Sequence, residues 1–238
     1  MKIFKIVVPA VILFVMICGC GKQPKPTRAV REPMFFIDQY GKPVDAKYEQ
    51  GERADLFAII PAGAQVLELG ARLGTTSCTI RQKIGHNGNL VLIEPDRSVI
   101  PALQQNLSHN NCAASLFVGV IGVKDLRFHQ TNAANAHLVP EQGCHDEKDG
   151  GSFYTVPAIT FSELEKKYQV KFDTLIADCE GCVEETLSQI QQTGQLGRFK
   201  MIWYEADGEM SDYMRINEML TKAGFTLNTS SGFVTWKK

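Results

Sequence analysis

"AQVLELGARLGTTSCTIRQKIGHNGNLVLIEP", residues 64–95, is the stretch that sets the fold. Its two ends, AQVLELG and NLVLIEP, are short apolar runs of strand length. Between them TTSCTIRQKIG reads as a helix, with Thr75 or Thr76 available as its cap and Gly85 as its stop. A strand, a helix and a second strand at this spacing imply parallel strands joined by a crossover.

The alternation continues downstream. DRSVIPALQQNLSHN reads as a helix and ASLFVGVIG as a third strand. ITFSELEKKY opens a helix with a capping-box pattern, Thr160 to Glu163. FDTLIAD is a fourth strand, VEETLSQIQQ a helix, and FKMIWYEAD a fifth strand. SDYMRINEMLTKAGF is a helix ended by Gly224, and TLNTSSGFVTWKK reads as a terminal hairpin. The sum is an α/β domain with a mostly parallel sheet covered on both faces. Ligands of such sheets sit at the carboxyl ends of the strands. That rule places Gly70, Glu94, Asp178 and Glu205 along one rim.

Composition sets the outer bounds. The chain has 238 residues, 44% hydrophobic and 21% charged, which is ordinary for a globular protein. A net charge of -1 argues against an extended nucleic-acid footprint, and no nucleic-acid partner is expected. The sixteen uncharged residues Ile6 to Gly21 would reach about 24 Å as a helix, short of the roughly 30 Å hydrocarbon core. Residues 1–21 therefore read as a signal or short anchor segment, and membrane association is expected. ICGC resembles a bacterial lipobox, with Cys20 as the residue to be lipidated. The basic, Pro-bearing stretch 22–33 reads as a linker, leaving 34–238 as one domain. Of the seven Cys, two lie in the N-terminal run. The other five are an odd number, so they cannot all pair internally, and they read mainly as free thiols.

VLELGARLGTTS holds a strand end, Glu68, two glycines four apart and a helix start. Glu94 ends the next strand, where a carboxylate can accept the two hydroxyl hydrogens of a ribose. The pairing suggests a nucleoside-containing cofactor. No G-x-G-x-x-G is present to seat a pyrophosphate. The loop resembles motif I of S-adenosylmethionine-dependent methyltransferases instead. VLELGARLGTTSCTI, LVLIEPDRSVIPALQQNL and FDTLIADCEGCVEETL together resemble the FkbM family of methyltransferases, and MIWYEADG fits the strand that follows.

The resemblance implies a Rossmann-like class I methyltransferase fold with a seven-stranded, mostly parallel sheet and a C-terminal antiparallel hairpin. It implies S-adenosyl-L-methionine as cofactor, and O-methylation of a sugar or other small-molecule or glycan acceptor. Gly70 and Gly74 match the cofactor loop, Glu68 its acidic support and Glu94 the ribose ligand. Asp178, Glu180 and Gly181 match the family's D-x-E-G beside the acceptor, which makes Asp178 and Glu180 the candidate catalytic residues. Arg72 stands where a second loop glycine is common, and Val183 where a further acid is common.

Several rival readings accompany this one. Asp178 and Glu180 also suit the start of a helix as cap and dipole partner. With Glu205 they could hold Mg²⁺, although no metal is assigned. Cys179 and Cys182 form C-x-x-C, read here as packing thiols. The polar stretch 123–155 is expected to be a long loop or lid, with His129, His137 or His145 as a possible base. The functional alternative is a non-catalytic member of the fold that binds cofactor or glycan.

Overall fold

Alternation within each apolar run decides what covers the sheet. Val66, Leu90, Leu92, Ile176, Met201 and Trp203 share one core with Leu56, Ile80 and Leu103. Their neighbours in sequence, Leu67, Val91, Ile93, Leu175 and Ile202, share another with Leu164, Leu187 and Leu220. Successive strand residues point to opposite faces, so a run that is apolar throughout needs helices on both.

The computed structural model describes residues 34–130, 137–139, 152–179, 181–206, 210–230 and 233–238. The expected anchor and linker, residues 1–33, lie outside the described residues, as does Glu180. The chain begins with α1 (Gln50–Ile59), β1 (Gln65–Leu69), α2 (Thr75–Ile84), β2 (Asn89–Glu94) and α3 (Ile100–His109). Then come β3 (Ser115–Val118), β4 (Val120–Ile121), β5 (Leu126–Gln130), β6 (His137–Val139), β7 (Ser152–Val156) and β8 (Ala158–Ile159). The last part holds α4 (Phe161–Tyr168), β9 (Thr174–Ala177), α5 (Val183–Gln192), β10 (Met201–Glu205), α6 (Met210–Lys222), β11 (Thr226–Ser230) and β12 (Phe233–Lys237).

The main sheet has seven strands in the order β11-β12-β10-β9-β1-β2-β3. β3, β2, β1, β9 and β10 run parallel. β12 is antiparallel to both β10 and β11. This is the expected Rossmann-like arrangement with its C-terminal antiparallel hairpin. The chain moves outward from β1 through β2 to β3, then returns to lay β9 on the other side of β1. That reversal opens a crevice above the carboxyl ends of β1 and β9.

Three expectations need correction. The run ASLFVGVIG is two strands, because at Gly119 the chain leaves the main sheet and Val120–Ile121 pairs with β8. A Cβ at Gly119 would stand 2.2 Å from the Pro157 carbonyl oxygen, so the crossing needs glycine. The stretch expected as a loop or lid contains a small antiparallel sheet in the order β6-β5-β7. Finally, α2 is capped at Gly74 without a side-chain hydrogen bond, so neither Thr75 nor Thr76 caps it. The capping box at the start of α4 is present as expected, with Thr160 and Glu163 bonded reciprocally. Among the described residues no helix is long and apolar enough to cross a membrane.

Candidate active site

The phase of the sheet gathers the acids. Glu68 follows Val66, Glu94 follows Leu92, Asp178 follows Ile176 and Glu205 follows Trp203, each by two residues. All four therefore continue the face that packs against α1, α2 and α3. There Glu94, Asp178 and Glu205 line a cavity of about 540 Å³ at the carboxyl ends of the strands. Its size is in the usual range for small-molecule sites.

Glu94 is the best-held group. Its Oε2 accepts from the Arg72 N–H at 2.7 Å and its Oε1 from the Asp96 N–H at 2.7 Å. It is only 5% exposed yet lines the cavity. Burial pushes its carboxyl up to about 7, against the pull of the two N–H donors. Each oxygen keeps a lone pair for a ligand hydroxyl. Arg72 takes the place of the expected glycine with φ 42, the left-handed conformation a glycine adopts without strain. From there its N–H meets Glu94 at 2.7 Å.

Gly70 also lines the cavity. It has φ +83, and a Cβ there would lie 1.7 Å from the Asp178 carbonyl oxygen. Glycine thus lets β1 and β9 close together under the cavity floor. Gly74 and Glu68 stand one layer back. Gly74 has φ +78 where α2 passes Leu103 on α3. Glu68 is 2% exposed, and its Oε2 has no hydrogen-bond partner among the described residues. Burial raises its carboxyl to about 8; Ser77 pulls it down, while Glu49 and Asp178 push it further up.

The cavity lining also holds an acidic cluster, most of which was invisible in sequence. Glu49 and Glu52 come from the start of α1, a helix the sequence reading did not expect. Its residues QGERADLFAI bury only Glu52 and Leu56, so it lacks an apolar stripe. Carboxylate oxygens of Glu49, Glu52 and Asp178 lie within 4.8 Å of one another. Thr75 and Thr76 hydroxyls donate to Glu49 Oε2, the latter at 3.2 Å, which is the work those threonines do in place of capping. Burial, then Glu49, raises Glu52 to about 8. Asp178 is held well above the usual carboxylate range by burial, then by its hydrogen bond with Glu205 and repulsion from Glu52. Glu180, the second expected catalytic acid, lies outside the described residues.

The cysteines are corrected too. Cys78 is bonded to Cys112 and Cys179 to Cys182, with Cα atoms 5.2 and 5.5 Å apart. An odd count excludes complete pairing only, and gives no reason to deny two pairs. Cys144 lies outside the described residues. Of the candidate histidines, His129 is buried in the small sheet and stacks on Phe153 at 4.3 Å. It is absent from the described cavity lining. His145 lies outside the described residues, and of His137 only the backbone is described. β5 contributes Leu126 and Phe128 to the cavity wall instead.

No family model and no curated protein matches the chain. Among solved structures, a precorrin-6y C5,15-methyltransferase from Geobacter metallireducens is 13% identical, with a TM-score of 0.48, over 79% of this chain and 89% of that one. A SAM-dependent methyltransferase from Aquifex aeolicus is 10% identical, with a TM-score of 0.44, over 81% and 93%. Aeropyrum pernix fibrillarin, crystallised with natively bound S-adenosyl-L-methionine, is 14% identical, with a TM-score of 0.43, over 79% and 73%. These are distant likenesses; strand order and register carry the fold assignment.

Proposed function

We propose that this chain is an S-adenosyl-L-methionine-dependent methyltransferase that methylates a hydroxyl of a sugar, other small molecule or glycan, as its resemblance to the FkbM family implies. The observation that carries the reading is Glu94, a buried carboxylate fixed by two N–H groups, facing a cavity that Glu49, Glu52, Asp178 and Glu205 also line. Such a cavity is complementary to a ligand that carries both a diol and positive charge. The cofactor has a ribose diol, a sulfonium and an ammonium. When bound, it supplies an electrophilic methyl group.

Glu94 holds the ribose in this reading, and Gly70 lets the backbone approach it. Ile121, Leu126 and Phe128 give an apolar wall suited to a flat base. The acidic cluster holds the cation, and a cation there favours ionised carboxylates. Asp178, once ionised, orients the acceptor hydroxyl and takes its proton as the new C–O bond forms. Its raised pKa makes it a better base near neutral pH than an exposed carboxylate. Glu180 joins it through the D-x-E-G motif. Residues 1–21 attach the protein to a membrane, and 22–33 link that segment to the catalytic domain.

One observation favours a second reading. Two disulfides belong to an oxidising compartment, whereas the cofactor is made in the cytosol. Of the non-catalytic alternatives, binding cofactor or binding glycan, the glycan-binding member needs no supply of the cofactor in that compartment. Isothermal titration of the full chain with S-adenosylmethionine, beside Glu94→Ala, tests the binding claim. We expect micromolar affinity that falls roughly 10- to 100-fold in the variant. Equal affinity in both would remove Glu94 from the site. Transfer of labelled methyl groups to hydroxyl acceptors then separates enzyme from binder.

A further inference from the structure

The two disulfides occupy different environments. Cys78 and Cys112 are 0% and 5% exposed, inside the core that α2 and α3 share. Their bond closes a long stretch of chain, with a sequence separation of 34, and such a bond constrains the unfolded state strongly. Cys179 and Cys182 are three apart, so their ring removes less freedom from the unfolded chain. Both are half-buried, packed against a core cluster on one side and lining the cavity on the other. The fold has less need of the second bond, and solvent can reach it.

The two sulfurs are also unequal. Cys182 is the residue at which α5 begins; its carbonyl accepts from Thr186 N–H at 3.1 Å, and no side chain caps that helix start. Unpaired N–H groups of the first turn favour negative charge at that position. Of two nearby acids that oppose the effect, only Glu184 has a cationic partner. Arg215 Nη2 meets Glu184 Oε2 at 2.7 Å, and Gln189 donates to Glu185 at 3.1 Å. Burial, then the hydrogen bond with Glu205, disfavours the charged form of Asp178, next to Cys179. Cys179 lies two residues beyond β9, which ends at Ala177, and is not at the start of α5.

We propose that Cys179–Cys182 is a redox-active pair that exchanges with a dithiol reaching it through the cavity, while Cys78–Cys112 is a permanent structural bond. One thiolate of the dithiol attacks Cys179 Sγ, forming a mixed disulfide, and Cys182 leaves as the thiolate that the α5 terminus stabilises. The second thiol of the reductant attacks its own sulfur in the mixed disulfide. Cys179 departs as a thiolate and takes up a proton, and the reductant leaves as a cyclic disulfide. Two electrons pass from the dithiol to the cysteine pair; one of its two protons ends on Cys179 and the other goes to solvent, because Cys182 stays a thiolate. A low-pKa leaving group speeds the first step.

The test uses the full chain under native conditions, with dithiothreitol as the probe. Free thiols are blocked first; graded dithiothreitol is added, and newly exposed thiols take a second label read by peptide mass spectrometry. Cys179 and Cys182 should take that label together while Cys78 and Cys112 stay paired and the near-ultraviolet circular dichroism is unchanged. Opening of both bonds only on unfolding would overturn the proposal. Single variants give an independent reading. The Cys182 thiol in Cys179→Ser should be half-reactive at a pH about one unit or more below the ordinary value near 8.5. The Cys179 thiol in Cys182→Ser should react near the ordinary value. A Cys182 midpoint at or above 8.5 would contradict the assigned order of attack, and a purely structural disulfide would show neither effect.

Discussion

At the scale of single residues, the positions that strand ends dictate were legible and those that packing dictates were not. Gly70, Glu94 and Asp178 each follow an apolar run, and the carboxyl-end rule finds them without knowledge of side-chain contacts. Glu49 and Glu52 precede or open a helix with no period, so nothing in sequence tied them to Asp178. Gly70 permits a sharp prediction. In Gly70→Ala the new methyl would meet the Asp178 carbonyl oxygen at 1.7 Å in a left-handed conformation. Roughly 2–5 kcal/mol of stability should be lost by urea unfolding. A loss below about 1 kcal/mol would show that β1 and β9 can part at this point.

At the scale of elements, regular periodicity was readable and its absence was misleading. The helix α5 occupies Val183–Gln192, the residues VEETLSQIQQ singled out from sequence. The small sheet of β5, β6 and β7 reads as a loop in sequence because its polar residues hide the alternation of short strands. Gly119 was not recognised as a strand break, since only the approach of Pro157 demands it. The helix α1 depends on tertiary anchors, among them the Trp203 Nε1–H donated to Asp55 Oδ2 at 2.9 Å. Asp55→Ala leaves that buried N–H without this acceptor and should cost about 1–3 kcal/mol. It should also weaken cofactor binding, because α1 carries Glu52 and Glu49 immediately precedes it. Unchanged affinity by titration would separate α1 from the site.

At the scale of the whole molecule, buried acids give stability a sign with pH. Glu52 and Glu68 are raised to about 8 and Glu94 to about 7, chiefly by burial. A carboxyl whose pKa is higher folded than unfolded binds more protons in the folded state between the two values. Its contribution is complete below the unfolded value near 4.5 and is lost as pH rises through 7–8. The ligand-free protein should therefore melt at a lower temperature at pH 8 than at pH 5. Domains of 150–250 residues shift by about 2–4 °C per kcal/mol. Glu68→Gln should flatten the slope, and calorimetry that shows stability rising over this interval would contradict the buried-acid account.

The same acids supply the most direct test of the central claim, that the cavity holds a cation beside a diol. Binding of S-adenosylmethionine should ionise carboxyls that are protonated in the empty site, so protons should be released. Titration at pH 7 in buffers of different ionisation enthalpy measures that number. The account predicts micromolar binding with net proton release, diminished in Glu52→Gln. Absence of binding by the folded protein, or binding with proton uptake, would contradict it.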